Sequence, residues 1–224
     1  MRVSVLIPTT GRRADWLDVA IASARNQVDA PEVIVEHDLT GTGQSATLNR
    51  AFARSTGDWI TVCHDDDFYV RTDATALLLA QARMHPEAGA VYSLPQYVTT
   101  DGIAGPTPPR LSQWMTKHPR VRWGSFPDGL HMHGTGVLYR RDWWTRVGGW
   151  DETLPACEEY EFHLRLLYQG CVFLGLPVAT MAYRHHAGQK SARRVGTIGR
   201  TSARRQEVQR RIRARYRAAL QESA

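Results

Sequence analysis

Short apolar runs alternate with amphipathic stretches along most of the chain. The first run, residues 3–7, is rich in β-branched residues and stops at Pro8, and apolar residues at 3- and 4-residue spacing follow it. Strands alternating with helices predict an α/β fold with a mostly parallel central sheet flanked by helices. The predicted strands cover residues 3–7, 33–35, 59–63, 90–92, 136–139, 172–176 and 178–183, and the predicted helices cover 16–24, 45–54, 73–84, 141–147 and 158–168.

Between residues 94 and 134 the periodicity disappears, and prolines alternate with aromatic residues and histidines. A loop of this length inside a domain usually has a function. Trp114 and Trp123 are therefore candidates for an acceptor-binding wall, with simple packing as the alternative. Trp143 and Trp144 fall on a short predicted helix and are expected in the core.

Composition excludes several classes of protein. With 42% hydrophobic and 22% charged residues over 224 positions, the chain is neither disordered nor collagenous. No apolar run approaches the roughly 18 residues needed to cross a bilayer, and the run at 3–7 is too short for a signal peptide. The three cysteines lack CxxC spacing, which argues against a disulfide framework or a zinc ribbon. These features predict a cytoplasmic protein.

The positive charge is concentrated at the end of the chain. The formal net charge is +6, but from Arg184 onward twelve Arg or Lys residues face two acids, so this part carries +10 and the rest −4. Residues 201–220 predict a basic amphipathic helix with a narrow apolar stripe. Such a tail could bind nucleic acid, bind an anionic membrane surface peripherally, or dock against the body. The stripe consists of Val208, Ile212, Tyr216 and Leu220.

Three adjacent carboxylates, Asp65, Asp66 and Asp67, follow the predicted strand at 59–63. In an open α/β sheet, ligands bind beyond the carboxyl ends of the strands. Carboxylates packed this closely repel one another, and a hard cation such as Mg²⁺ or Mn²⁺ that bridges them to phosphates would relieve the repulsion. A solvated acidic turn is the alternative for this run alone.

A second acidic group, Glu158 and Glu159, opens the helix predicted at 158–168. Acids in a first helical turn are favoured by the helix dipole alone. A carboxylate within hydrogen-bond reach of a hydroxyl is also a suitable general base. Only proximity to the first acidic cluster would distinguish the two interpretations.

Basic residues and histidines follow the last predicted strand. His186 is a candidate metal ligand or phosphate neutraliser, and Arg184 and Lys190 could assist it. Paired histidines in a polar loop are more often simply exposed. Close to Asp65–Asp67, however, they would complete a metal–phosphate site.

Seven motifs occur in the order seen in family 2 glycosyltransferases, which the chain resembles over about residues 1–191. Members of this family have the GT-A fold and mostly transfer a sugar, with inversion, from a nucleoside-diphosphate donor. The resemblance implies a nucleotide-sugar-binding half at 1–93, an acceptor and catalytic half at 94–191, and a basic helical tail at 192–224. The motifs are VSVLIPT (3–9), EVIV (32–35), GDWI (57–60), DDD (65–67), VGGWDE (147–152), EE (158–159) and YRHH (183–186).

The resemblance also implies a role for each candidate site residue. Glu159, beside Glu158, would be the catalytic base, and Asp38 would accept a hydrogen bond from uracil. The metal motif can be aligned in two ways, on Asp65 and Asp67 or on Asp66. The implied nucleotide-binding residues are Pro8, Thr9, Arg12, Asp38, Asn49, Asp65, Arg184 and Lys190, and the implied metal ligands are Asp65, Asp66, Asp67 and His186.

The chain departs from the family pattern at two positions. The second strand ends Glu36-His37-Asp38 instead of Asp-Asp-Gly-Ser, which weakens the prediction of uracil recognition. Glu159 stands where the family usually has Asp, and the extra methylene lengthens the base by about one carbon–carbon bond, an error of the size that can cost roughly a hundredfold in rate.

The sequence therefore predicts an inverting, hexosyltransferase-type enzyme that uses a UDP-sugar with Mn²⁺ or Mg²⁺. The acceptor hydroxyl would belong to a glycan, a lipid-linked glycan or a modified nucleic-acid base. A catalytically degenerate nucleic-acid- or membrane-binding module is the alternative. A dehydrogenase is disfavoured because residues 41–43 lack the rest of GxGxxG, and a nucleotidyltransferase because no Gly-rich basic phosphate loop is apparent near residues 8–13.

Overall fold

A computed structural model describes residues 1–105, 113, 115–123, 134–189 and 203–222, with side chains in the last range described only for 207–216. Its strands are β1 (Val3–Thr9), β2 (Glu32–His37), β3 (Trp59–Val62), β4 (Phe68–Tyr69), β5 (Ala88–Val98), β6 (Arg120–Val121), β7 (Val137–Arg140) and β8 (Val172–Arg184). Its helices are α1 (Ala14–Arg25), α2 (Gln44–Arg54), α3 (Ala74–Met84), α4 (Arg141–Arg146), α5 (Glu158–Tyr168) and α6 (Ala203–Glu222).

The strands of the described chain form one sheet in the order β2-β1-β3-β7-β5-β8-β4, with β6 paired to β8. Strands β1, β2, β3, β5 and β8 run in one direction, as the expected mostly parallel sheet requires. Strand β7 lies antiparallel between β3 and β5, and the two-residue strands β4 and β6 lie antiparallel to β8. The carboxyl ends of β1, β3, β5 and β8 therefore share one edge of the sheet.

Helices cover both faces of the sheet because the strands are apolar on both sides. Successive residues of β1 show this, since Val5 and Ile7 face one apolar layer and Leu6 the other. Helices α1 and α3 pack on the first face, and α2, α4 and α5 pack on the second. Trp143 and Trp144, on α4, are buried in the second layer as predicted.

The region expected to be irregular after residue 93 contains regular structure. Strand β5 continues through Pro95 to Val98, so the expected division between 93 and 94 falls inside a strand. The two strands expected at 172–176 and 178–183 form one strand, β8. The pairing of β8 with β5 changes register between Ser93 and Leu94.

Helix α6 docks against α5. Ile212 and Tyr216 are buried in a cluster with Tyr160 and Leu164, and the Tyr216 hydroxyl donates to Glu161 Oε1 at 2.6 Å. The described part of the tail's apolar stripe therefore packs against the body. In the described part of the chain, no helix is both long and apolar enough to span a bilayer.

Trp123 belongs to the same packing. Its ring lies edge-on to Tyr168 at 5.5 Å and to Tyr216 at 6.1 Å between ring centres. The structure therefore favours the packing role for Trp123 over the expected acceptor-binding wall, because its ring packs at the junction of α5 and α6. Trp114 lies outside the described residues.

Candidate active site

The loop His64–Asp67 follows β3 at the edge where β1 also ends. Thr9, the last residue of β1, donates from Oγ1 to Asp65 Oδ2 at 2.6 Å and accepts from the backbone N–H of Gly11 at 2.9 Å. Arg13 Nη1 lies 3.3 Å from Asp65 Oδ1 and 3.7 Å from Asp66 Oδ2. A guanidinium thus offsets part of the repulsion within the acidic run.

Asp66 meets His186, which follows β8 at the same edge. The distance between His186 Nε2 and Asp66 Oδ2 is 2.9 Å, although these residues are 120 positions apart. The His186 side chain is mostly buried, and its ring lies edge-on to Trp16 at 4.8 Å. This contact brings together two motifs that the sequence could only suggest were neighbours.

Asp67 is used differently from the other two aspartates. It is 1% exposed and accepts hydrogen bonds from Thr135 Oγ1 at 2.7 Å and from the Arg184 backbone N–H at 3.0 Å. Burial and the charge of Asp66 raise the pKa of Asp67 to about 7. Asp67 thus ties the acidic loop to β8 and to the turn that precedes β7.

Arg184 holds loops together from a buried position. Its Nε donates to the Asp66 carbonyl at 2.9 Å and its Nη1 to the Thr100 carbonyl at 2.6 Å. The guanidinium also lies over the Trp16 ring, 4.9 Å from its centre. In the structure the Arg184 side chain donates its hydrogen bonds to backbone carbonyl groups of the protein. The sequence analysis had predicted that it binds the nucleotide.

The expected catalytic base lies beside the acidic loop. Glu159 Oε1 is 3.8 Å from Nε2 of His64, the residue immediately before Asp65. Burial alone would lower the pKa of His64, but its interaction with Glu159 and the charges of Asp67 and Asp66 outweigh burial and raise that pKa to about 9. The Glu159 side chain is 33% exposed, whereas Glu158 is 6% exposed, so Glu159 is the more accessible of the two glutamates.

Gly134 forms the floor beneath the Glu159 carboxylate. A Cβ added to Gly134 would lie 1.5 Å from Glu159 Oε1 and 1.9 Å from its Cδ. Because the next residue, Thr135, binds Asp67, one short turn contacts both acidic groups.

Two expected nucleotide-binding residues stabilise local structure. Asp38 Oδ1 accepts from the Thr42 backbone N–H at 2.8 Å, and Oδ2 accepts from the Gly43 backbone N–H at 2.9 Å. These bonds lower the pKa of Asp38 despite the opposing effect of its slight burial. The carboxylate thereby orders the loop before α2.

Asn49 binds the turn of the VGGWDE motif. Its Nδ2 donates to the Trp150 carbonyl at 3.0 Å and to Glu152 Oε1 at 2.7 Å, and its Oδ1 accepts from the Trp150 backbone N–H at 2.9 Å. The left-handed backbone of Gly149 (φ +75°) lets the turn approach this amide.

The remaining expected residues lie at the edge of the site or outside it. Pro8 is buried in β1 beside Glu36 of β2, and Arg12 is exposed. Lys190 lies outside the described residues.

Sequence reasoning missed Arg13 and Trp16. Arg13 contacts the acidic loop and also donates from Nη2 to the Gly188 carbonyl at 3.1 Å. Trp16 was interpreted only as part of an apolar helix face, yet its ring contacts His186 and Arg184. The available signal was their position just after β1, the first strand to end at the ligand-binding edge.

Two side chains at this edge of the sheet, Asp66 and His186, could supply some of the ligands of a divalent cation. Within the described residues, no group of three or more His, Cys, Asp or Glu side chains is arranged to hold a metal ion. Asp66 and His186 nevertheless offer a carboxylate oxygen and an imidazole nitrogen 2.9 Å apart, close to the roughly 3 Å between neighbouring ligands of a cation with bonds of about 2.1 Å. Mg²⁺ commonly takes one or two protein carboxylates and completes its shell with phosphates and water, so these residues fit such an ion.

An open α/β sheet with carboxylates, an imidazole and a guanidinium at its carboxyl edge agrees with the GT-A-type fold expected from the sequence. Solved structures share this fold. The structure of S. aureus TarS 1-349 in complex with UDP-GlcNAc superposes with a TM-score of 0.66 at 16% identity, over 86% of this chain and 62% of that chain. The mannosyltransferase PcManGT from Pyrobaculum calidifontis, in complex with GDP-Man and Mn²⁺, gives a TM-score of 0.60 at 14% identity, over 84% and 58%.

The family follows from the sequence match. The model of "Glycosyl transferase family 2" matches residues 30–148, more than half of the chain, and the chain belongs to that family. A curated relative, "Probable glycosyltransferase YdaM" of Bacillus subtilis (strain 168), is 28% identical over 158 residues. That match covers 66% of this chain and 35% of YdaM, so the chain spans about a third of that relative.

Proposed function

We propose that the protein is an inverting glycosyltransferase that moves a sugar from a metal-bound UDP-sugar to an acceptor hydroxyl. The observation that carries the proposal is the contact of Glu159 with His64, 3.8 Å apart, directly before the acidic loop. The proposed base for the acceptor hydroxyl, Glu159, and the acidic loop proposed to bind the metal and the diphosphate therefore lie next to each other. Family membership supports the same reaction class.

In the proposed mechanism Glu159 holds the acceptor hydroxyl and takes its proton as the oxygen attacks the anomeric carbon. The bond from that carbon to the diphosphate oxygen breaks as the new bond forms, so a single displacement inverts the configuration. His64 positions the Glu159 carboxylate from one side, and Gly134 does so from below. Arg13 lies where its charge can stabilise the departing diphosphate.

Asp66 and His186 are the residues that would hold the divalent cation, with Asp65 beside them. When bound, the cation supplies a fixed positive charge for the leaving diphosphate. The complex of PcManGT with Mn²⁺ supports a metal of this kind, though that relative shares only the fold.

UDP is the proposed donor nucleotide because the more similar of the two cited solved structures, TarS, is in complex with UDP-GlcNAc. Asp38 remains the proposed contact for the base. Its carboxylate already accepts hydrogen bonds from Thr42 and Gly43, so it would bind uracil through a remaining lone pair. GDP is the alternative nucleotide.

The test is calorimetric titration of UDP, GDP and TDP with and without Mn²⁺. The variants are Asp66→Ala and, as a matched control, Asp18→Ala, which removes an exposed carboxylate of α1. Metal-dependent UDP binding that is lost in the first variant and kept in the second is the expected result. If none of the three nucleotides binds with metal present, the proposal is wrong and a degenerate binding module becomes the better interpretation.

A further inference from the structure

The outward face of α6 is the feature that the proposed donor site does not use. The sequence of the whole helix holds seven arginines and no lysine, against Glu207 and Glu222, which gives +5 over residues 203–222. Glu207 pairs with Arg210 at 2.8 Å and with Arg211 at 2.7 Å. One carboxylate shared by two guanidiniums leaves a net positive charge even at this point, and the exposed side chains of Arg210 and Arg211 (74% and 77%) face solvent.

The inner face of α6 fixes where this charge lies. Ile212 and Tyr216 pack on Tyr160 and Leu164 of α5. Arg213 lies over the Tyr160 ring, 5.9 Å from its centre, and Tyr160 directly follows Glu159. The basic helix is therefore attached to the first turns of the helix that carries the proposed catalytic base.

The burial of the apolar stripe of α6 argues against a membrane surface as the partner of this helix. A helix that lies on a membrane surface inserts an apolar face into the lipid interface, but the described part of this stripe is covered by α5. Among the described side chains of α6, the guanidiniums of Arg210, Arg211 and Arg215 are exposed to solvent. Guanidiniums bind phosphate oxygens in bidentate geometry better than ammonium groups do. At 1.5 Å per residue, 20 residues extend over about 30 Å, close to one turn of duplex at roughly 34 Å.

We propose that α6 is a phosphate-backbone contact and that the acceptor is a nucleic-acid chain, which α6 holds beside Glu159. This inference rests on the proposed function and names its acceptor class. Within a strand of duplex DNA, away from the chain ends, the alcohol must belong to a hydroxylated base. Its oxygen bonds to the anomeric carbon, its proton goes to Glu159, and the nucleoside diphosphate departs. Backbone contacts are independent of sequence, so an unmodified duplex can test the binding.

The experiment measures binding of a fluorescent 20-base-pair DNA duplex by the full chain over a range of salt concentrations. Arg211→Ala/Arg215→Ala removes two exposed charges from α6. Arg25→Ala/Arg83→Ala removes two exposed charges from the ends of α1 and α3 and serves as the matched control. The plot of log affinity against log salt is expected to lose about 1.8 units of slope in the α6 variant, because each lost phosphate contact removes about 0.9, and none in the control.

Two results would overturn the inference: no duplex binding, whether or not phosphatidylglycerol vesicles bind, or an equal loss of salt dependence in both double variants. Titration of UDP, GDP and TDP with Mn²⁺ on the same samples separates the two proposals. Nucleotide binding without duplex binding removes the nucleic-acid acceptor and leaves the glycosyltransferase, whereas failure of all three nucleotides to bind overturns the proposed reaction itself.

Discussion

Gly134 should control the rate of the reaction without controlling stability. An Ala at this position would place Cβ 1.5 Å from Glu159 Oε1 and 2.6 Å from its Cγ, so the whole Glu159 side chain would have to rotate away from residue 134. Displacing a catalytic group by about 1 Å can cost roughly a hundredfold in rate. We expect Gly134→Ala to lower kcat for UDP release by about that factor, with UDP affinity and the free energy of unfolding little changed.

Glu159→Asp provides the control for this prediction. The shorter side chain withdraws its carboxylate from Gly134, so an added Cβ meets less obstruction. Gly134→Ala should therefore cost much less in the Glu159→Asp background than in the native protein, a non-additivity that a double-mutant cycle measures. Equal losses in the two backgrounds would show that Gly134 acts through some other contact.

His163 should make the protein less stable in mild acid. It is fully buried on α5, its Nε2 lies 2.6 Å from the Tyr139 hydroxyl, and burial lowers its pKa to about 4. The unfolded chain has an ordinary His pKa near 6.5 and binds this proton first, so the stabilisation is complete above that pH and is lost as pH falls towards 4. From pH 7.5 to 5 the loss is about 2 kcal/mol.

Urea unfolding of the native protein and of His163→Gln at the two pH values checks this prediction. The native free energy of unfolding should fall by about 2 kcal/mol more than that of the variant. His37→Gln replaces a histidine at an exposed position and is the control, with a fall in unfolding free energy equal to that of the native protein as the expected result. Parallel pH curves for the native protein and His163→Gln would contradict a buried neutral imidazole.

At the scale of elements, Asn49 connects α2 to the turn before α5. Asn49→Ala removes three hydrogen bonds to the backbone of Trp150 and to Glu152. Leaving buried backbone groups unpaired costs about 1–3 kcal/mol, and we expect a loss of unfolding free energy in that range with unchanged UDP affinity. Asn26→Ala, at the exposed end of α1, is the control. If Asn49→Ala instead loses UDP affinity while its free energy of unfolding is unchanged, Asn49 binds the nucleotide, as the sequence analysis expected.

Helices and strands could be predicted where the hydrophobic periodicity of a single segment is enough to identify them. Helix α5 begins and ends where the sequence indicated, and β1 and α2 differ by at most two residues at an end. Strands β4 and β6 could not be found, because two residues have no measurable period and become strands only by pairing with β8. Strand β5 passes through Pro95, which local rules treat as a strand breaker.

The candidate site divides in the same way. The acidic run, Glu159 and His186 carry chemistry in their residue types, so sequence could propose them. The contacts of Arg184 and Arg13 depend on which loop lies opposite each guanidinium, which is a property of the folded chain. Arg12 and Arg13 are equivalent in the sequence, and only the direction in which α1 begins decides which of them reaches Asp65.

At the scale of the whole molecule, an apolar contact between α5 and α6 joins the basic tail to the acidic body in the described part of the chain. Ile212 is 5% exposed at the centre of that contact, whereas Ala214 is exposed on the same helix. Ile212→Asp buries an unpaired charge, and we expect α6 to detach. Trypsin should then cleave at the arginines of α6 faster than in the native protein, while residues 1–189 stay folded.

Ala214→Asp introduces the same charge on the solvent side and should leave the cleavage rate close to native. If both variants are cleaved at the native rate, α6 is held by something other than its apolar stripe. If Ile212→Asp alone is cleaved rapidly and also loses duplex binding at unchanged UDP affinity, docking of α6 on α5 is what places the arginines where the acceptor binds.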